Sequence, residues 1–126
     1  MSTAEQESTN KHRFIIQDFS EIDPVACPCG ATRRALACER NKTCTLHMVE
    51  IDKNSKTHYH KKLTEVYYVL QGKGSLELNG ERFAVKEGMV VLIPPGTRHR
   101  AVVEDQSLRI LNYVTPPFDP ADEWFD

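Results

Sequence analysis

Three histidines and one glutamate carry most of the chemistry that this sequence offers. His58 and His60 flank Tyr59, Glu65 follows five residues after His60, and His99 comes just after the run Pro94-Pro95-Gly96-Thr97. On extended backbone the side chains at i and i+2 point the same way, with Cα atoms about 7 Å apart. Two imidazoles so placed can converge on one metal ion, at about 2.0–2.1 Å if the ion is zinc. Glu65 stands at an odd offset from His60, so one unbroken strand would turn it to the opposite side. Residues 61–64 must therefore bend or bulge if Glu65 is to join the histidines. A Pro-Pro-Gly turn is a rigid device for aiming His99 back toward them.

The segments around these residues read as short strands. Thr43 to Ile51, Glu65 to Leu70, Ser75 to Leu78 and Arg82 to Val85 are rich in β-branched, aromatic or alternating residues. Asn79-Gly80 between two of them signals a hairpin, because a type I′ turn needs positive φ at both central positions. Met89 to Ile93 is a continuous apolar run, as in a strand buried on both faces. Arg98 to Val103 and Ser107 to Val114 supply two more strands. Strand texture begins at Ala35; Cys27-Pro28-Cys29-Gly30 reads as a turn or loop. No segment carries a long helical period, so a β-sandwich or barrel is expected.

The two ligand-bearing blocks have further fixed residues. His58-x-His60-x4-Glu65-x6-Gly72 resembles the first cupin motif, and Gly88-x5-Pro94-x-Gly96-x2-His99 resembles the second. Asp52 stands where the first motif normally opens with glycine, and Val103 where the second often ends with asparagine. Neither departure is at a metal-ligand position. The resemblance spans roughly Thr43 to Val114. It implies an all-β chain folded as a cupin-type jelly-roll β-barrel, with the metal near its centre. It also implies His58, His60, Glu65 and His99 as ligands of one divalent metal ion per chain. Three neutral imidazoles and one carboxylate do not distinguish Zn, Fe, Mn, Ni, Co or Cu. A six-coordinate ion would keep two positions for water or substrate.

Such a site acts as a Lewis acid, or activates O₂ if the metal is redox-active. Three readings stay open. The first is a metal-dependent isomerase or lyase acting on a carboxylate-, keto- or sugar-derived metabolite. The second is an iron- or nickel-type dioxygenase. Glu65 counts against a thiol dioxygenase, a group that usually has three histidines and no carboxylate. The third is a non-catalytic small-molecule or metal-binding protein. Candidate catalytic residues are Tyr67, which shares strand parity with Glu65, His47 in the preceding strand, and Arg98. Arg33 and Arg34 are further candidates for pairing with an anionic ligand.

The rest of the chain sets the frame. Its 126 residues suit one domain, with residues 1–12 a flexible N-terminal tail, 13–115 the barrel, and 116–126 an aromatic, acidic tail packed on the barrel or on a partner subunit. Hydrophobic residues make up 40% and the net charge is -2, which gives no reason to expect nucleic acid or a membrane as partner. The N-terminal residues lack the apolar core of a secretory signal, so a cytoplasmic location is expected. In that compartment Cys27, Cys29, Cys38 and Cys44 read as reduced thiols, and their spacing does not match the paired Cys-x2-Cys knuckles of a zinc site. The small-molecule ligand is the expected partner, beside a second copy of the chain in a homodimer.

Overall fold

The computed structural model of the protein describes residues 13–126; the tail assigned to residues 1–12 lies outside the described residues. In chain order the strands are β1 (Val25–Cys27), β2 (Gly30–Ala35), β3 (Thr45–Ile51), β4 (Thr64–Gln71), β5 (Lys73–Leu78), β6 (Glu81–Lys86), β7 (Val90–Ile93), β8 (His99–Val102) and β9 (Leu108–Thr115). Two 3-10 turns, Phe19–Glu21 and Pro120–Asp122, flank them. The larger sheet has the order β1-β2-β3-β9-β4-β7 and the smaller the order β6-β5-β8. All pairings are antiparallel. The chain is all-β, a jelly-roll barrel formed by these two sheets.

Alternation decides which residues enter the barrel. β3 buries Thr45, His47, Val49 and Ile51, and β9 buries Leu108, Ile110, Asn112 and Val114. The apolar members meet Val69, Leu76, Val85 and Ala101 in the core. The polar members matter more for function. Arg34 on β2 lies opposite His47 on β3, His47 opposite Asn112 on β9, and Asn112 opposite Tyr67 on β4. A row of four polar side-chain types thus crosses four adjacent strands. Residues on one row share a face, so all four point to the inside that His47 and Asn112 occupy.

The turns follow their residues. Asn79 and Gly80 take φ 51° and 84°, as the hairpin between β5 and β6 demands. Gly72 has φ 91°, and a Cβ there would stand 2.3 Å from the Ser107 carbonyl oxygen. The motif glycine is therefore required twice, by backbone conformation and by close approach of the chain leading into β9.

Two expectations are corrected. Strands begin earlier than Ala35: the Cys27-to-Gly30 turn joins β1 to β2, with Cys27 paired to Gly30. β2 reads Gly-Ala-Thr-Arg-Arg-Ala, without apolar alternation, and its pairing along β3 makes it a strand. The run from Met89 is not buried on both faces. β7 is an edge strand with Val90 63% and Leu92 64% exposed, while Ile93 at 1% is the residue that turns inward.

Candidate metal centre

His58 and His99 are brought side by side by the backbone. They form an antiparallel bridge in which His58 N–H donates to the His99 carbonyl at 3.1 Å and His99 N–H returns a bond to His58 at 2.9 Å. The Pro-Pro-Gly turn is fastened to the same region by Gly96 N–H, which donates to the His60 carbonyl at 2.7 Å.

Between His60 and Glu65 the strand breaks, and Asp122 holds the break. Its carboxylate accepts the N–H groups of Lys61 and Lys62 at 2.9 Å and of Leu63 at 3.0 Å. The chain then re-enters β4 with Glu65 facing inward. Burial pushes the Asp122 carboxyl up, but these bonds and that from Trp124 Nε1 outweigh it and bring it down to about 2.

Each of the three imidazoles is pinned through the same atom. Nδ1 of His58 bonds the Lys56 carbonyl at 3.0 Å, that of His60 the Asp122 carbonyl at 2.6 Å, and that of His99 the Thr97 carbonyl at 2.8 Å. A carbonyl oxygen only accepts, so Nδ1 carries the proton in all three rings. In the neutral rings Nε2 keeps its lone pair, the form in which imidazole binds a metal. The ligand atoms of His58, His60 and His99 lie within 4.8 Å of one another. Glu65 Oε1 stands 3.0 Å from Nε2 of His60 and 3.0 Å from Nε2 of His99. Its other oxygen accepts from Asn112 Nδ2 at 2.6 Å. Oε1 of Glu65 and Nε2 of His99 are buried and have no hydrogen-bond partner.

Electrostatics follow from this enclosure. Burial opposes the Glu65 charge, but His60 and His99 outweigh it and hold the carboxyl far below its usual range. Burial and then His99 push His58 down. Burial pushes His60 down too, yet Glu65 and the Asp122 carbonyl carry it above its usual value. Burial, with Glu65 next, lifts the Tyr67 hydroxyl well above its usual range, so it stays protonated.

The centre opens into a cavity of about 430 Å³. His47, Tyr67 and Arg34 line it together with His58, His60 and Glu65. His47 is buried, bonded through Nε2 to Thr45 Oγ1 at 2.9 Å and set edge-on to Phe118. Tyr67 lies 6.4 Å from His99, ring to ring. Arg98 is not among the lining residues: its guanidinium bonds both carboxylate oxygens of Asp126 and stacks 3.5 Å from the Tyr59 ring centroid. Arg33 is also engaged elsewhere, donating to the carbonyls of Phe19 and Ile22 beside the first 3-10 turn.

The C-terminal segment closes over the site. Trp124 exchanges both backbone bonds with Tyr59, the residue between the two histidines. Phe118, Glu123 and Phe125 line the cavity, and Glu123 Oε1 is 3.8 Å from His58 Nε2. Sequence reasoning missed Asp122, Glu123 and Asn112. Only Asn112 left a signal, as the polar member of the inward series Leu108, Ile110, Asn112, Val114.

Similarity to other proteins agrees with this geometry. Residues 45–114 match the cupin domain family. A protein from Planctomyces limnophilus has a solved structure of TM-score 0.79 and 40% identity, over 87% of this chain and 95% of that one. An uncharacterised protein of Methanocaldococcus jannaschii is 41% identical over 71 residues, which is 54% of this chain and 57% of that protein's length. Streptomyces Pac13, described as a nucleoside dehydratase, shares the fold at TM-score 0.74 and 18% identity, over 88% and 89% of the two chains. The domain match takes in His58, His60, Glu65 and His99, the residues that the barrel brings together, and covers more than half of the 126 residues. The chain belongs to the cupin family.

Proposed function

We propose that the chain binds one divalent metal ion through His58, His60, Glu65 and His99, and acts there on a small carboxylate-, keto- or sugar-derived metabolite held in the cavity. The observation that carries this reading is the approach of Glu65 Oε1 to His99 Nε2, at 3.0 Å, both buried and neither hydrogen-bonded. With the rings neutral and the proton on Nδ1, a carboxylate oxygen and an imidazole lone pair repel at that distance, and a shared cation, a proton or a metal ion, turns the repulsion into attraction. The donor set, three imidazoles and a carboxylate, suits a divalent transition metal. Bound there, the ion supplies Lewis acidity to a ligand carbonyl or carboxylate.

The protein's own groups do the rest. The three Nδ1 bonds fix the ring orientations before the metal arrives. Asn112 holds Glu65 by its second oxygen and leaves the first for the ion. Tyr67, protonated and beside His99, offers a hydroxyl donor to the ligand. His47, neutral and bonded to Thr45, completes the polar wall next to Asn112. Arg98 ties the C-terminal segment over the site through Asp126.

The outer face of β4, β7 and β9 supports a homodimer. Tyr68, Val90, Leu92 and Tyr113 are all more than a third exposed there and adjoin across strands that pair in register.

Elemental analysis of protein purified without chelator, beside His58→Ala, tests the central reading. We expect about one metal ion per chain in the native protein and little in the variant. Negligible metal in the native protein, or equal metal in both, removes the reading. Turnover of a metabolite panel without O₂ then marks an isomerase or lyase, O₂ uptake marks a dioxygenase, and tight binding without turnover marks a binding protein.

A further inference from the structure

Buried side-chain polar atoms almost always find a hydrogen-bond partner. Among the described residues six do not: Thr32 Oγ1, Arg34 Nε, Arg40 Nε, Glu65 Oε1, His99 Nε2 and Asn112 Oδ1. The proposed metal accounts for the atoms of Glu65 and His99. Of the other four, only Arg40 is outside the wall of the cavity; Thr32, Arg34 and Asn112 all line it. Unmet hydrogen-bonding capacity is thus gathered on one surface.

Thr32 and Arg34 are two residues apart on β2, so their side chains share its inward face. No ion pair reaches Arg34 among the described residues. Phe118 covers the flat side of its guanidinium, 4.7 Å from the ring centroid. An arginine stacked in this way bonds a ligand through its N–H edge, which fits the planar fork of a carboxylate. The neighbouring Thr32 hydroxyl is a second donor. β2 and β4 are separated by β3 and β9, so Arg34 and Glu65 lie on the same inward face of the larger sheet, three strand steps or about 14 Å apart along the cavity wall. Asn112, on β9, stands between them with an open acceptor oxygen.

We propose that Thr32 and Arg34 form an anion subsite that takes a ligand carboxylate farther along the cavity wall from the metal ligands. The ligand class is a small organic acid with a second oxygen function for the metal and a hydrogen-bond donor between the two, directed at Asn112 Oδ1. A single guanidinium beside a neutral hydroxyl matches one carboxylate better than a doubly charged phosphate. This deepens the metal-site reading and rests on it for the far end of the ligand.

The test uses zinc-loaded protein and the ¹⁵N–¹H resonance of Arg34 Nε, assigned by its absence in Arg34→Lys. Malate and 2-hydroxyglutarate, which carry a hydroxyl donor between their two carboxylates, are the principal probes, with acetate and inorganic phosphate as comparisons. We expect the dicarboxylates to shift this resonance. Their binding should weaken about tenfold to a hundredfold in Arg34→Met, and to a smaller degree in Thr32→Val, with zinc content unchanged. Dicarboxylate binding without a shift at Arg34, equal affinity in Arg34→Met, or no binding by either acid overturns the subsite. A shift with phosphate but with neither acid overturns its carboxylate assignment. If the native protein fails to hold zinc, the metal reading falls separately, and the Arg34 resonance of metal-free protein with the same acids still decides the subsite.

Discussion

Asp122 and His60 are joined by the Asp122 carbonyl, which accepts the Nδ1 proton of His60 at 2.6 Å, and by the Asp122 carboxylate, which caps the three N–H groups that follow His60. One residue of the C-terminal segment therefore orients an imidazole of the candidate centre and also holds the strand break after which Glu65 faces inward. The carboxylate is a fixed acceptor for a bend that no adjoining strand would satisfy. The site is consequently built from the barrel and from residues past its last strand.

Asp122→Ala should lower stability by roughly 2–4 kcal/mol, because it leaves the buried N–H of Leu63 and the half-buried N–H groups of Lys61 and Lys62 without their charged acceptor. Metal content should fall with it, since Glu65 loses its fixed position. Urea denaturation and elemental analysis on the same preparation read both effects. An unchanged midpoint with full metal would show that the bend holds without Asp122.

Asn112→Leu removes the donor that holds Glu65 Oε2 and changes little in side-chain volume. Metal affinity should drop about tenfold or more, as with other residues that orient metal ligands. Competition with a coloured chelator measures it. Equal affinity would mean that the two histidines alone fix Glu65.

Much of this was legible in the residues, for physical reasons. Side-chain parity placed His58 with His60 and demanded a break before Glu65, and the break lies at residues 61–63. Asn79-Gly80 announced its hairpin because few residues accept two positive φ values. β2 was hidden because Gly-Ala-Thr-Arg-Arg-Ala carries no apolar alternation and owes its strand to β3. Asp122 was hidden more deeply: its partners lie about sixty residues away in sequence, as the separation of 60 from Lys62 shows. No local pattern encodes a contact of that kind.

Leu92→Glu should convert a dimer to a monomer, since a charge placed on each copy of an apolar face opposes itself across a two-fold axis. Sedimentation of the native protein and the variant reads the change. A native protein that sediments as a monomer at micromolar concentration removes the dimer proposal.

Cys29 should react slowly with alkylating agents at pH 8. Burial, and then the Cys27 sulfur 3.4 Å away, pushes its thiol up to about 12. A free cysteine near 8.5 is about a quarter ionised at that pH, whereas Cys29 would hold orders of magnitude less thiolate. Mass mapping of a timed iodoacetamide reaction separates its peptide from that of Cys38. Labelling of Cys29 at the rate of a small-molecule thiol contradicts the expectation.

His47 should make stability fall between pH 6.5 and about 4. Burial first, and the Arg34 charge second, lower its pKa from 6.5 to about 4, with Glu65 opposing them only in part. The unfolded chain therefore binds a proton that the folded chain refuses throughout that window, and stability rises with pH across it. The contribution is complete above about pH 6.5 and is lost progressively toward pH 4, reaching on the order of 3 kcal/mol. His47→Gln cannot take up that proton, so its stability should vary less over the same range. The difference between the two urea-midpoint curves isolates His47 from the other histidines, which are common to both. Parallel curves from pH 7.5 to 4 would show that the ring protonates freely inside the barrel, and would place it in contact with water rather than in the buried polar row beside Asn112.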